Sequence, residues 1–267
     1  MYIDVHRHYS YDKTDIERLP QYLDSAGIAK TVLFGYNGYG KADQDQDVIS
    51  AYKKHPDRVI PFISGIDFSD SLAPEYVERC LERENYMGIG EILIGSWSQA
   101  RYFSGISFDG DIPIEIFKIA GRHGIPVLFR CDRFRQNEIM NMLRMCRETN
   151  FIWAHAACDY AKRSKTTLVE ADYLRYMLIM HPNLHFELSM PTKLLPGLQN
   201  YKYSEVFLDY PDKFMFGTDI TGTYRDSQSE IMPAYDALFE NVPEEVREKI
   251  KSENFLKLLP KGKLANA

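Results

Sequence analysis

The sequence has few cysteines and lacks the paired spacing that disulfide frameworks and cysteine metal sites require. Its 4 cysteines, in a chain of 267 residues, form no Cys-x-x-Cys pair, so reduced and mostly structural thiols are expected. A surplus of basic residues is also missing. The formal net charge is −6, whereas binding to a nucleic-acid backbone normally needs a basic face. These absences disfavour a disulfide-rich secreted module and a nucleic-acid-binding protein.

Long apolar runs are absent as well. No segment approaches the roughly 20 apolar residues that a membrane-spanning helix requires. Met1 leads directly into an apolar segment, without the basic region and small-residue cleavage site of a secretory signal peptide. A cytoplasmic location is therefore expected. The expected partner is a small-molecule substrate rather than a nucleic acid or a membrane, and the sequence leaves a homo-oligomer open.

Short β-branched or aromatic segments alternate with longer amphipathic segments along the whole chain. This alternation, with short connections, predicts a parallel sheet with right-handed crossovers. About eight such repeats in one chain favour a closed, distorted (β/α)8 TIM barrel, with an open doubly wound sheet as the alternative. No linker or shift in composition divides the sequence, so we expect one barrel domain over residues 1–267.

The expected elements follow from these patterns. The predicted strands are Tyr2–Val5, Lys30–Phe34, Val59–Ile63, Gly88–Leu93, Pro126–Phe129, Phe151–Ala154, Leu184–Leu188 and Phe214–Gly217. Helical spacing of apolar residues predicts helices over Asp15–Ala26, Asp47–Lys54, Ile114–Arg122, Gln136–Glu148, Leu168–Met180 and Pro243–Leu259.

Two histidines follow the first predicted strand. His6 and His8 are alternate residues, so their side chains share a face and can bind one cation. They also lie at the carboxyl end of the strand, where the active sites of TIM barrels form. Two unrelated polar residues in a loop are the alternative interpretation.

An aspartate follows the last predicted strand. In a closed barrel the eighth strand pairs with the first, which brings Asp219 beside His6 and His8. Two imidazoles and one carboxylate make a three-ligand catalytic metal site with open positions for water. Taken alone, Asp219 could cap a following helix, but its combination with His-x-His favours the metal site.

Three other predicted strands carry polar candidates. His155, after the sixth strand, suits a metal ligand, a general acid or an oxyanion stabiliser, with a core histidine as the alternative. Glu91 lies in the buried context of the fourth strand, where a metal ligand and a structural carboxylate are equally supported. On the seventh strand, Glu187 shares a face with His185 and Ser189 that can point inward, and it is a weaker candidate.

Six motifs are spread over essentially the whole chain. They are Asp4-Val5-His6-Arg7-His8, His55-Pro56-Asp57-Arg58, Gly124-Ile125-Pro126-Val127, Trp153-Ala154-His155, Phe216-Gly217-Thr218-Asp219 and Val242-Pro243-Glu244-Glu245. In this order, the combination resembles the amidohydrolase superfamily, and more closely its amidohydrolase-2 branch of small-acid decarboxylases, hydratases and lactonases. The resemblance implies a distorted barrel that holds one or two divalent metals, usually zinc, with Asp219 activating bound water.

One position departs from the family pattern. Members usually have a metal-binding histidine after the fifth strand, where this chain has Arg130, and a guanidinium cannot bind a metal because it stays protonated. Either Glu91 completes the site, as a strand-four glutamate does in the TatD-like branch, or the metal is bound weakly or absent. Arg130 suits bidentate capture of a substrate carboxylate or phosphate, with an ion pair to Glu91 or Asp132 as the alternative. In loops at the active end, Tyr36 and Arg225 are further candidates for substrate contact.

The sequence therefore predicts a metal-dependent hydrolase that acts on a small anionic ester, lactone or amide through a metal-activated water. Asp219 would move the proton, His155 would polarise the scissile group, and Arg130 would orient the substrate. Non-oxidative decarboxylation of a small carboxylic acid is the second interpretation, and a non-catalytic ligand-binding barrel is the third. The residues expected to bind one divalent ion, zinc before manganese or iron, are His6, His8, Glu91 and Asp219.

Overall fold

A computed structural model describes residues 1–10, 13–35, 42–94, 105–161, 165–167, 169–189, 202–221 and 231–261. Within these ranges, parallel strands alternate with helices and close into a distorted (β/α)8 barrel. The last barrel strand pairs both with its predecessor and with the first strand. The predicted closed barrel is therefore confirmed, and the open doubly wound sheet was the wrong alternative.

The barrel strands follow one another round the sheet in sequence order, and every neighbouring pair is parallel. The first barrel strand is interrupted, as β1 (Tyr2–Asp4) and β2 (Arg7–Tyr9), and so is the last, as β11 (Phe214–Met215) and β12 (Ile220–Thr221). Between them lie β3 (Ile28–Gly35), β4 (Val59–Ile63), β5 (Gly88–Ile92), β6 (Val127–Phe129), β7 (Phe151–Trp153) and β10 (Leu184–Glu187). A separate antiparallel pair consists of β8 (Asp159–Ala161) and β9 (Lys165–Thr167).

Helices separate the strands at the six predicted positions and at three further ones, and the largest shifts in a first residue are those of the first two helices. The helices are α1 (Leu19–Ser25), α2 (Ala42–Lys54), α3 (Ala73–Arg83), α4 (Asp111–Arg122), α5 (Gln136–Met145), α6 (Ala171–Met180), α7 (Tyr203–Asp209), α8 (Ile231–Phe239), α9 (Glu244–Glu248) and, after a π-helical turn, α10 (Asn254–Leu256). Helix α1 begins later than predicted because the Asp15 carboxylate accepts hydrogen bonds from the N–H groups of Glu17 and Arg18 in a preceding turn. Helix α2 begins earlier, in a polar stretch without apolar periodicity. In the described part of the chain, no helix has both the length and the hydropathy of a membrane span.

Apolar side chains fill the barrel below its carboxyl end. Alternate residues of the strands, such as Val32 with Phe34 and Ile60 with Phe62, belong to one buried cluster, as expected where each second side chain faces the interior. Phe255 of the C-terminal helical segment packs into the same cluster. The polar side chains described below therefore lie above an apolar interior.

A buried carboxylate, that of Asp4, links the first and last barrel strands through hydrogen bonds. Asp4 accepts hydrogen bonds from the Thr218 backbone N–H (2.9 Å) and the Thr218 hydroxyl (2.7 Å). Next to this contact, the Asp219 backbone N–H donates to the His6 carbonyl oxygen over 2.8 Å. A buried carboxylate needs such donors to offset its lost hydration. These bonds fix the register that places Asp219 beside the histidines.

Candidate active site

Four of the predicted residues converge at the carboxyl end of the barrel. The Nε2 atoms of His6 and His8 each lie 3.5 Å from the same Glu91 oxygen, Oε2. They lie 3.3 Å and 3.2 Å, respectively, from the same Asp219 oxygen, Oδ1. The predicted proximity of the first and last strands is therefore seen directly, and Glu91 joins them from the fourth.

The fifth member of this cluster is His155. Its Nε2 atom lies 3.6 Å from Glu91 Oε1 and 3.9 Å from Asp219 Oδ2. His155 belongs to a short turn, Ala154–Ala157, that directly follows β7, and its backbone is left-handed, with a positive φ of 59°. This turn brings the imidazole among the other donors.

Glu91 reaches the centre through an irregularity in its strand. The register between β5 and β6 shifts between Ile89 and Ile92. Gly90, at φ +139°, lies so close to β6 that a Cβ atom there would collide with the Leu128 carbonyl oxygen. Only glycine allows this approach, and the following residue, Glu91, is thereby aimed at the histidines.

Hydrogen bonds behind the cluster determine which nitrogen each imidazole turns toward its centre. His155 Nδ1 lies 2.6 Å from the Ser189 carbonyl oxygen, and because a carbonyl only accepts, Nδ1 carries a proton. His6 Nδ1 lies 3.0 Å from a Glu187 oxygen, which favours the same arrangement. In the neutral form, both imidazoles then present an Nε2 lone pair to the centre. His6 Nε2 is buried and makes no hydrogen bond to the described residues.

The remaining predicted residues are placed less completely. Arg130 is the first residue after β6, and its backbone N–H donates to the Ile92 carbonyl oxygen over 2.8 Å. It therefore lies next to the end of β5, the strand that carries Glu91. Its side chain is partly exposed. Tyr36 and Arg225 lie outside the described residues.

A protein-family model matches nearly the whole sequence of this barrel. The Amidohydro_2 family model, described as Amidohydrolase, matches residues 3–261. The chain belongs to the amidohydrolase family. This confirms the resemblance drawn from the motifs, and the protein is an enzyme rather than the non-catalytic barrel that the sequence had left open. A comparison of this amidohydrolase with curated protein sequences found no match.

Solved structures with the same fold include a decarboxylase and a hydrolase. The 2,6-dihydroxybenzoate decarboxylase from Rhizobium is 15% identical, with a TM-score of 0.64 over 100% of this chain and 99% of that one. A probable 2-pyrone-4,6-dicarboxylic acid hydrolase from Acinetobacter baumannii is 12% identical, with a TM-score of 0.65 over 96% and 98%. An amidohydrolase from Burkholderia multivorans with bound zinc is 11% identical, with a TM-score of 0.65 over 97% and 100%.

The cluster of this amidohydrolase fits a divalent cation. Ligand atoms of His6, Glu91 and His155 all lie within 4.8 Å of one another, and so do those of His6, His8 and Asp219. The two groups share His6, whose inward nitrogen is buried and makes no hydrogen bond to the described residues. Imidazole nitrogens and carboxylate oxygens are ligands that zinc and related divalent ions accept. The donor set therefore suits a divalent metal.

Charges within the cluster shift its pKa values strongly. Burial lowers the pKa of His6, but the carboxylates of Glu91, Asp219 and Glu187 outweigh burial and raise it well above its ordinary value. Burial also lowers the pKa of His8, and hydrogen bonds to Asp219 and Glu91 raise it overall. Conversely, burial raises the pKa values of Glu91 and Asp219, while His6 brings both well below their ordinary values. Without a metal, protons on the imidazoles balance the carboxylates, and a metal ion must displace them.

The stability of the metal-free amidohydrolase should therefore fall as the pH rises above about 6.5, the ordinary pKa of histidine. Folding raises the pKa of His6 and His8 above the ordinary 6.5. Their stabilising contribution is complete below that value and is lost as pH rises through the raised folded pKa. Thermal unfolding of chelator-treated protein at several pH values measures this, with a His6→Gln variant expected to show a shallower decline. Equal slopes in the two proteins would contradict the assignment.

Proposed function

We propose that the enzyme is a metal-dependent hydrolase that acts on a small anionic ester, lactone or amide. The observation that carries this proposal is the convergence of three imidazole Nε2 atoms on the carboxylates of two further residues. A bound divalent ion, for which we propose zinc, would act as a Lewis acid and lower the pKa of water at this site. The residues that would hold it are His6, His8, Glu91 and Asp219, to which His155 is added below.

Asp219 is the member of the cluster that can exchange protons with a substrate. Its side chain is 30% exposed, whereas those of His6 and Glu91 are 0% and 2% exposed. Its depressed pKa keeps it ionised near neutral pH, so it can accept a proton from attacking water and deliver it to the leaving group. A buried carboxylate without access to substrate could not play this part.

His155 is better suited to holding the metal than to polarising the scissile group. Its Nδ1–H donates to the Ser189 carbonyl oxygen, so a neutral imidazole offers a lone pair, not a proton, toward the centre. Polarising a substrate oxygen would require the imidazolium form. Among the roles that the sequence left open, we therefore propose metal ligand for His155.

Arg130 is the reason for proposing that the substrate carries a negative charge. A guanidinium at this end of the barrel can bind a carboxylate or phosphate in bidentate fashion, and the Arg130 side chain is partly exposed. We propose that it orients the acid group of the substrate. The proposed partner is accordingly a small molecule, not a nucleic acid or a membrane, and a cytoplasmic location remains a prediction.

The same arrangement supports decarboxylation as a second candidate. Arg130 would bind the carboxylate of a small acid, and Asp219 would carry the proton that replaces it on carbon. The Rhizobium structure of the same fold is a 2,6-dihydroxybenzoate decarboxylase, which supports this candidate.

Isotope-labelled water separates the two reactions. The zinc-loaded enzyme is incubated in H₂¹⁸O with a panel of carboxylate-bearing lactones, esters and amides and of hydroxylated aromatic acids. Hydrolysis predicts one ¹⁸O atom in the product, detected by mass spectrometry. Release of CO₂ without ¹⁸O in the remaining product would favour decarboxylation instead, and stoichiometric binding of panel members without turnover would contradict both.

A further inference from the structure

Glu187, at the end of β10, is a fully buried carboxylate that does not belong to the five-residue cluster. Four donors point at it. The Ser189 backbone N–H donates to Oε1. Oε2 accepts from the Ser189 hydroxyl (2.7 Å), His6 Nδ1 (3.0 Å) and the His155 backbone N–H (3.3 Å). Glu187 thus contacts two members of the cluster from behind.

The pair Glu187 and Ser189 connects imidazoles that come from distant strands. His6 belongs to the first barrel strand and His155 follows the sixth, yet both Nδ1 atoms lie against this pair. The Ser189 hydroxyl oxygen is 3.2 Å from His6 Nδ1 and 3.1 Å from His155 Nδ1, and the Ser189 carbonyl oxygen accepts from His155. One short segment therefore orients both rings.

The neighbouring backbone leaves room for this contact. A Cβ atom at Gly217 would collide with Glu187 Oε1 and would lie 3.0 Å from His6 Cβ. The Glu187 carboxylate consequently lies directly against the Gly217 backbone, in space that any other residue at position 217 would fill with its side chain. Such tight packing is what a group needs if it is to hold an imidazole in one orientation.

We propose that Glu187 is a positioning residue that keeps His6 protonated at Nδ1 and turned with Nε2 toward the metal, and thereby sets the affinity for the ion. This inference rests on the proposed metal-dependent function. An ionised carboxylate is the side chain that satisfies four donors at once, because it accepts only. A glutamine amide would have to place its NH₂ group against either the Ser189 N–H or His6 Nδ1. In the first arrangement two donors face each other, and in the second His6 Nδ1 must accept, which favours the tautomer with its proton on Nε2.

The test compares wild type with Glu187→Gln and Glu187→Ala, and uses Asp45→Asn as a matched control. Asp45 is equally buried and also accepts four kinds of donor, from Ser64 N–H and hydroxyl, Gly65 N–H and the Tyr76 hydroxyl. Zinc affinity is measured by competition with a chromophoric chelator. Glu187→Gln should weaken it by about 10- to 100-fold, and Glu187→Ala further, whereas Asp45→Asn should leave it unchanged.

A second readout follows the proton itself. In protein labelled with ¹⁵N-histidine, the His6 Nδ1–H signal should be protected from solvent exchange in wild type and Asp45→Asn, with or without zinc, and lost in Glu187→Ala. A folded Glu187→Gln variant with wild-type affinity and a protected signal would overturn the inference while leaving the proposed function intact. Absence of zinc binding in wild type would overturn the proposed function, and the metal-free NMR comparison would still decide the role of Glu187.

A variant that fails to fold does not end the test. Ser189→Ala removes only the hydroxyl that donates to Glu187 Oε2 over 2.7 Å and keeps the Ser189 backbone N–H and carbonyl. It should weaken zinc binding in the same direction as Glu187→Gln, by a smaller factor. An unchanged affinity in Ser189→Ala, should the Glu187 variants be unfolded, would also overturn the inference.

Discussion

Asp219→Asn is expected to lower kcat by about 10²- to 10⁴-fold, the usual contribution of a positioned general base, and to leave the fold intact. The carboxylate that accepts the proton is lost, but the side-chain shape is kept. Asp219 has a positive φ of 54°, a conformation that asparagine tolerates as readily as aspartate. Its backbone bond to the His6 carbonyl oxygen is also unaffected. Steady-state kinetics at saturating zinc, with circular dichroism as a check of folding, measure the effect.

The control for this experiment lies at the opposite end of the same barrel strand. Asp212 precedes β11, is 56% exposed and pairs with Lys257 over 3.1 Å. Asp212→Asn should keep wild-type kcat. An exposed ion pair contributes little to stability, and Asp212 lies far from the cluster in the fold. Retention of full turnover by Asp219→Asn would remove this residue from the mechanism.

His6→Ala is expected to abolish stoichiometric metal binding, with a loss of affinity of more than about 100-fold, which exceeds the usual effect of a residue behind the ligands. His6 is common to both groups of donors in the cluster, so its removal damages each of them. The substitution also removes the protonated imidazole that faces Glu91 and Asp219 in the metal-free state. Elemental analysis of wild type and variant, purified without added metal or chelator, measures the metal content.

His123→Ala is the matched control for this loss. The imidazole of His123 lies at the surface, 2.7 Å from the carboxylate of Glu78 and far from the cluster in the fold. The variant should retain the wild-type metal content. Equal amounts of metal in wild type and His6→Ala would mean that any bound metal lies elsewhere, and the assignment of the cluster would be wrong.

The barrel could be predicted from the sequence because each strand is short, apolar and bounded by polar segments. Val59–Ile63 was predicted with both ends correct. Helix α1 was placed too early because Asp15 forms a local turn through its side chain, and apolar periodicity cannot report such a competing bond. Local pattern therefore located the elements, while side-chain contacts decided their ends.

Much of the candidate site could also be predicted, because a barrel brings the carboxyl ends of its strands together. His6, His8, Glu91 and Asp219 meet as their positions at strand ends require. The orientation of the imidazole of His155 could not be predicted, since it depends on a positive φ in the turn after β7.

The residues behind the cluster were harder to predict. Asp4 stands two residues before His6, on the same face, and this alternation was the available signal for its inward position. Its partner, Thr218, follows only from the register between the first and last strands. Likewise, alternation placed Glu187 inward with Ser189, but the contact with His6 spans 181 residues of sequence and has no local pattern.

The bond between Asp4 and Thr218 has a consequence for how the enzyme is made. The two residues are 214 positions apart in sequence, so a ribosome synthesises the first strand long before its last partner exists. During that interval His6 and His8 have no closing strand, and the barrel edge beside them is open. Contacts of such long range form slowly, since their loop-closure entropy must be overcome first. Nascent chains that stall before Thr218 should consequently present an unpaired strand edge to chaperones or to one another.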